Sequence, residues 1–184
     1  MQTLESSRLF SSEDYFSSVS IVDFGLGKQG NGVVALGIIS KYMVAALKDL
    51  RSQSGEMMLY VSMDGVIWSK AKFPHATSSK LHENAYTVVE STTHSLAIDV
   101  LLHSSASVGT LFVSNSNGTF FVESLQDTNR NNAGYVDFEE LVGVEGVGIA
   151  NIVANAVEVE GRDVPKQIQS RITYDDGESI YIYL

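Results

Sequence analysis

The chain has 184 residues, 44% of them hydrophobic and 18% charged, which is enough for a folded domain with a real core and too apolar for a disordered tail. Its 22 acidic against 12 basic residues give a formal charge of −10 that repels phosphate backbones and anionic lipid, and the scattered Lys41, Lys48, Arg51, Lys70, Lys72, Arg130 and Arg162 form no stripe able to track a nucleic acid. Zero cysteines exclude disulfides and thiolate metal sites, a composition that taken alone reads as cytosolic.

Residues 1–8 are polar, with no apolar core of a signal peptide. Residues 9–16, Leu-Phe-Ser-Ser-Glu-Asp-Tyr-Phe, form an apolar pair followed by a polar turn. Val33–Ile39 and residues 42–47 read as two strands around Ser40-Lys41. Residues 59–68, Leu-Tyr-Val-Ser-Met-Asp-Gly-Val-Ile-Trp, run from an apolar strand through a Gly turn to an aromatic. Residues 86–90 and 96–102 flank the turn Ser91-Thr92-Thr93-His94, and residues 111–121 repeat the layout of 59–68. Residues 149–153 make a further strand, and residues 171–180 a further strand, turn and apolar end. Helical periodicity is nearly absent; residues 80–85 and 137–141 hold at most a helical turn. The apolar stretches 33–47 and 141–157 are interrupted by charge or Gly and fall short of the roughly 20 continuous apolar residues of a membrane span.

Aligning Ser12, Ser62, Ser114 and Thr173 exposes a repeat whose spacings fit about four short strands per period. That is the content of one four-stranded propeller blade, so four landmarks predict an all-β chain of about three antiparallel blades, over residues 17–68, 69–121 and 122–180.

The repeated turn matches the Asp-box, Ser/Thr-x-Asp-x-Gly-x-x-Trp. In this motif the hydroxyl and carboxylate bind the turn's own backbone, Gly takes a positive φ, and the terminal aromatic folds back over apolar surface. Ser62, Asp64, Gly65 and Trp68 keep every residue type but are one residue short before Gly. Ser114, Gly118 and Phe121 keep the spacing, with Ser116 in the Asp position. Thr173, Asp175 and Gly177 keep it again, with Ile180 in the aromatic position, and the worn first copy supplies Ser12, Asp14 and Phe16 without a Gly. Box acids serve their own turns, so neither Asp64 nor Asp175 is assigned to catalysis, and Trp68 and Phe121 read as core plugs. His75, His82, His94 and His103 lack the short spacing of paired zinc ligands, and Glu139-Glu140 and Asp175-Asp176 read as solvated charge; no metal or cofactor is expected.

Beyond the boxes, residues 72–75 (Lys-Phe-Pro-His), 83–96, 109–119 and 146–155 resemble the sortilin family of sorting receptors, and most closely its fungal vacuolar (carboxypeptidase Y) branch, over essentially the whole chain. The resemblance implies a segment of a lumenal ten-bladed propeller that binds soluble vacuolar hydrolase precursors or peptides between late Golgi and endosome, within a single-pass membrane glycoprotein whose remaining blades, cysteine-rich module, membrane helix and cytosolic tail are not in this sequence. It overturns the cytosolic reading of the missing cysteines. It implies that a basic tunnel residue engages a peptide carboxylate, and Arg130, in a polar stretch after a blade hairpin, is the local counterpart. The sequon Asn117-Gly118-Thr119 sits in a hairpin turn and fits N-glycosylation at Asn117.

The resulting expectation is a receptor segment and not an enzyme. Two alternatives stand beside it: a sialidase-like Asp-box glycosidase, which needs three converging arginines out of Arg8, Arg51, Arg130, Arg162 and Arg171, and a soluble interaction scaffold. Blades taken alone expose strand edges, so the segment is expected to be soluble but prone to associate.

Overall fold

The computed structural model describes residues 7–27, 30–51, 56–74, 85–92, 94–101, 107–131, 133–144, 146–162, 164–175 and 180–182. About half of the described residues lie in strands, and helix is almost absent. A short hairpin pairs β1 (Phe10–Ser11) with β2 (Ser20–Ile21). A four-stranded meander follows in chain order: β3 (Val33–Ile39), β4 (Tyr42–Lys48), β5 (Met57–Ser62) and β6 (Ser69–Lys70). The second meander is β7 (Tyr86–Ser91), β8 (Leu96–Val100), β9 (Val108–Ser114) and β10 (Phe121–Asn129), and the third is β11 (Phe138–Glu140), β12 (Gly148–Val153), β13 (Ile168–Thr173) and β14 (Ile180–Ile182).

The second and third meanders join into one curled sheet through a single register pair, Thr128 with Ile152. The architecture is that of a β-propeller fragment. Each box closes the turn between the third and fourth strands of its meander, so the meanders run past the expected cuts at residues 68 and 121: the strand after the box still belongs to the same unit.

β5 reads Met-Met-Leu-Tyr-Val-Ser and is buried on both faces, as befits an unbroken apolar run rather than an alternating one. One face joins Tyr42 and Val44 against Phe73, from the segment after β6, and against Leu96, Ile98, Phe112 and Phe121 of the second meander; the other packs Ala45, Leu47, Met58, Tyr60 and Trp68 under Val22 and Phe24, from the segment after β2. Phe73 stacks on Phe121 at 4.6 Å and meets Phe112 edge-on at 5.4 Å, so residues 71–73 wedge the first two meanders together.

Two local expectations are corrected. Residues 137–141 supply a strand and not a helical turn, because Phe138, Glu139 and Glu140 pair with Ala150, Ile149 and Gly148. The one helix among the described residues, α1 (Ala156–Gly161), runs against its sequence pattern: its Val-Glu-Val-Glu alternation has the period of a strand. The Asn155 side chain does not cap it but holds the returning chain, accepting from Gln167 N at 2.7 Å and donating to Pro165 O at 3.0 Å.

Candidate functional site

The box at Ser62 is self-contained. Ser62 Oγ accepts from Gly65 N at 2.9 Å and donates to Asp64 Oδ1, which in turn accepts from Val66 N and Ile67 N at 2.8 Å each. Gly65 has φ +74°, and Trp68, buried, donates its indole N–H to Gly65 O at 3.1 Å. The two backbone amides are the main reason the Asp64 carboxyl lies below its ordinary pKa. Thr173 repeats the first step, donating to Asp175 Oδ1 at 2.8 Å. Ser62, Ser114 and Thr173 occupy one structural position, each a buried hydroxyl at the end of a third strand. Gly177, and His75, His82 and His103, lie outside the described residues.

The box at Ser114 works differently from its alignment. Asn115, not Ser116, does the work of the aspartate: its Oδ1 accepts from Thr119 N at 3.1 Å and Phe120 N at 3.2 Å. Ser114 Oγ accepts from Leu96 N and donates to Asn115 O, tying β9 to the start of β8. The turn is also fastened to the first meander, because Tyr42 Oη donates to Ser116 O at 2.9 Å and Lys72 N to Thr119 O at 2.7 Å. Gly118 has φ +71°, and a Cβ there would come within 2.8 Å of Val61 Cγ1, so both conformation and space demand glycine. Asn117 stands exposed at the tip.

The first box also departs from its reading. Phe16 N donates to Ser12 Oγ at 2.8 Å and Ser18 N to Asp14 Oδ1 at 2.8 Å, the bonds made by Gly65 and Ile67 in the second copy. Phe16 therefore fills the glycine position, with φ +67°, and does not plug the core: it is 75% exposed. Phe16→Gly is expected to relieve about 1 kcal/mol of left-handed strain, which amounts to about fivefold slower hydrogen exchange at the Val22 amide; unchanged or faster exchange contradicts this. In the same turn Asp14 is held down to about 2, first by the Ser18 hydroxyl and then by the Ser18 amide. A depressed carboxyl stabilises fully above its unfolded value and loses that contribution as pH falls toward 2. Titration by carboxyl NMR is expected to find Asp14 near 2 and to find it raised by Ser18→Ala; a wild-type value in the ordinary range refutes the network.

Arg130 requires a correction. It directly follows β10 and is buried, 5% exposed, not held in a solvated loop. Its guanidinium already grips a carboxylate: Nε donates to Asp99 Oδ1 at 2.5 Å, and Nη2 donates to Asp99 O at 2.7 Å and Ala85 O at 3.1 Å. Thr128 Oγ1 donates to the other oxygen of Asp99. Burial raises the Asp99 carboxyl above its ordinary pKa in spite of Arg130 and Thr128. Lys166 extends the cluster, with Nζ donating to Ser107 O, Asn129 Oδ1 and Arg130 O at 2.8, 3.1 and 2.7 Å. It thereby ties the segment leading into β13 to the start of β9 and the end of β10. Asp99, Thr128 and Arg130 lie where β8 and β10 end and β9 begins, so this cluster sits at the end of the sheet opposite the boxes.

Arg8 bonds Asn31 and Arg51 bonds Asp49, so with Arg130 these three guanidiniums are spent on separate partners. Among the described residues no group of His, Asp or Glu is placed to hold a metal ion, and no helix is long and apolar enough to cross a membrane.

Comparison with known proteins places residues 1–181 on the family model described as Sortilin-Vps10, "Sortilin, neurotensin receptor 3". The chain belongs to the sortilin–Vps10 family. Fungal members named vacuolar protein sorting/targeting protein 10 match it along nearly its whole length: that of Laccaria bicolor is 62% identical over 95% of this chain, that of Mycosarcoma maydis 47% over 95%, and that of Colletotrichum graminicola 42% over 96%. The chain spans 11–12% of the length of these relatives.

Proposed function

We propose that this chain is part of the lumenal, cargo-binding propeller of a single-pass sorting receptor that carries soluble vacuolar hydrolase precursors from the late Golgi toward the endosome and vacuole, and that it has no catalytic role. The observation that carries the reading is the 62% identity to a protein named for vacuolar sorting, extending through the segments between boxes. The site chemistry agrees with a scaffold: the described box acids are bound within their own turns, and Arg130 is spent on Asp99. Cargo contact on this segment then belongs to exposed loops and strand edges and not to a preformed charged pocket.

The test replaces the corresponding segment of a full-length fungal receptor with this chain, in a strain lacking its own receptor. Retention of vacuolar carboxypeptidase precursor supports the proposal, and its secretion at the level of the receptorless strain, with the chimera present at normal abundance, refutes it. Asn117 is proposed as an N-glycosylated position, since the sequon lies at an exposed turn tip. The expected result is a glycosidase-sensitive mass shift on secretion that Asn117→Gln abolishes.

A further inference from the structure

We infer that the first N-acetylglucosamine of a glycan on Asn117 packs its ring against the exposed strip of Phe120 and Val122, and so fastens the joint between the first and second meanders. Asn117 opens the one Asn-X-Ser/Thr sequon in the chain and stands exposed on the box turn that follows Ser114. Three residues of chain span at most about 10 Å. The turn folds them closer, because Gly118 N donates to Asn115 O and Asn115 N donates to Phe120 O, both at 2.9 Å. A sugar on Asn117 is therefore within reach of the Phe120 ring.

What it meets there is open apolar surface. Phe121 is buried at 4% exposure, so Phe120 and Val122 on either side of it share the opposite side of the strand, where they are 55% and 66% exposed. Lys72 Nζ stands over the Phe120 ring, 4.7 Å from its centroid, and more than half of the residue remains open. A pyranose ring suits that opening, since it presents weakly positive C–H groups to the negative face of the aromatic ring. The box tip after Ser62 also exposes apolar residues, Val66 and Ile67, but carries no sequon. At the turn after Ser114 the covering group and the uncovered surface belong to the same few residues.

This turn is also where the meanders are tied. Lys72 N donates to Thr119 O at 2.7 Å, Phe121 N to Lys72 O at 2.9 Å and Tyr42 Oη to Ser116 O at 2.9 Å. A sugar resting on Phe120 restrains the residue between Thr119 and Phe121 and shields both backbone bonds to Lys72 from water.

The inference rests on the glycosylation proposed above, and mass separates the two: a secreted chain without the mass shift overturns both, whereas a shifted mass with no gain in stability overturns this one alone. The test compares the unmodified chain made in bacteria with the chain secreted from a fungal host and trimmed by an endoglycosidase to a single N-acetylglucosamine. The single-sugar chain is expected to melt about 2–4 °C higher, the effect of one favourable ring contact in a chain of this size. Its Lys72 and Phe121 amides are expected to exchange about fivefold more slowly. Phe120→Ser is expected to abolish both differences. Phe120→Leu, which keeps apolar area without an aromatic face, serves as a milder second variant should the serine perturb folding, and is expected to diminish them. Ile67→Ser, the same kind of change at a tip without a sequon, leaves both differences intact. The inference is overturned if the trimmed chain melts with the unmodified one, or if its gain survives the Phe120 variants undiminished.

Discussion

Arg130→Met is expected to cost about 3–5 kcal/mol in urea unfolding, because it leaves the Asp99 carboxylate buried without a counter-charge. Asp99 is fully buried and Arg130 nearly so, and the guanidinium also satisfies two backbone carbonyls, those of Ala85 and Asp99. The double variant Asp99→Leu/Arg130→Met removes both charges and is expected to recover most of the loss, since it strands no ion in the interior. The pH dependence follows from the direction of the Asp99 shift. A carboxyl whose folded pKa lies above its unfolded value binds protons preferentially in the native state, so its contribution to stability falls as pH rises through the window above the ordinary value of 3.8. Removing Arg130 raises the folded value further and widens that window, so the single variant is expected to regain stability on moving from neutral toward mildly acidic pH relative to wild type. A single variant within 1 kcal/mol of wild type at neutral pH, a scale set by exposed ion pairs, assigns Arg130 a surface role and reopens it as a ligand contact.

How far the sequence discloses this molecule depends on how local each interaction is. The boxes are legible because Ser62, Asp64 and Gly65 meet within one turn, and residue type and spacing specify their hydrogen bonds almost completely. The strand pairs around Ser40-Lys41 and around 91–95 are legible for the same reason. Asn115 escapes the sequence pattern because the alignment reserves the carboxylate position for Ser116, whereas an Asn side chain one residue earlier reaches the same kind of turn amides. Phe16 reads as the aromatic plug because nothing local announces a bulky residue at positive φ, a conformation that steric reasoning assigns to Gly first. Arg130 is illegible for a different reason. Its partner Asp99 is 31 residues away, and only the pairing of β8 to β9 and β9 to β10 brings the two charges together. The polar run 124–131, which reads as a loop, contains the end of β10, and Thr128 within that strand and Arg130 directly after it are both buried.

The second large effect is expected at Gly109, a residue whose φ is unexceptional and whose importance is steric. It lies opposite Thr128 across the β9–β10 ladder, where a Cβ would overlap the Asp99 carboxylate, 2.7 Å from its Cγ and 2.7 Å from Thr128 Oγ1. Neither neighbour has room to retreat: the carboxylate is clamped by Arg130 and Thr128, and the backbone on both sides is fixed by the pairing of Val100 with Thr110 and of Leu111 with Leu125. One added methyl group must therefore either separate β9 from β10 or evict Asp99 from its ion pair, and Gly109→Ala is expected to lose about 3 kcal/mol or more through overpacking combined with disruption of a buried charge pair. Gly37→Ala provides the contrast. That residue is on β3, where an added methyl group would meet nothing within 4 Å, so the substitution is expected to be neutral within about 0.5 kcal/mol. If both alanine variants unfold at the same urea concentration, the cluster of Asp99, Thr128 and Arg130 is not the rigid joint between β8, β9 and β10 that its geometry describes.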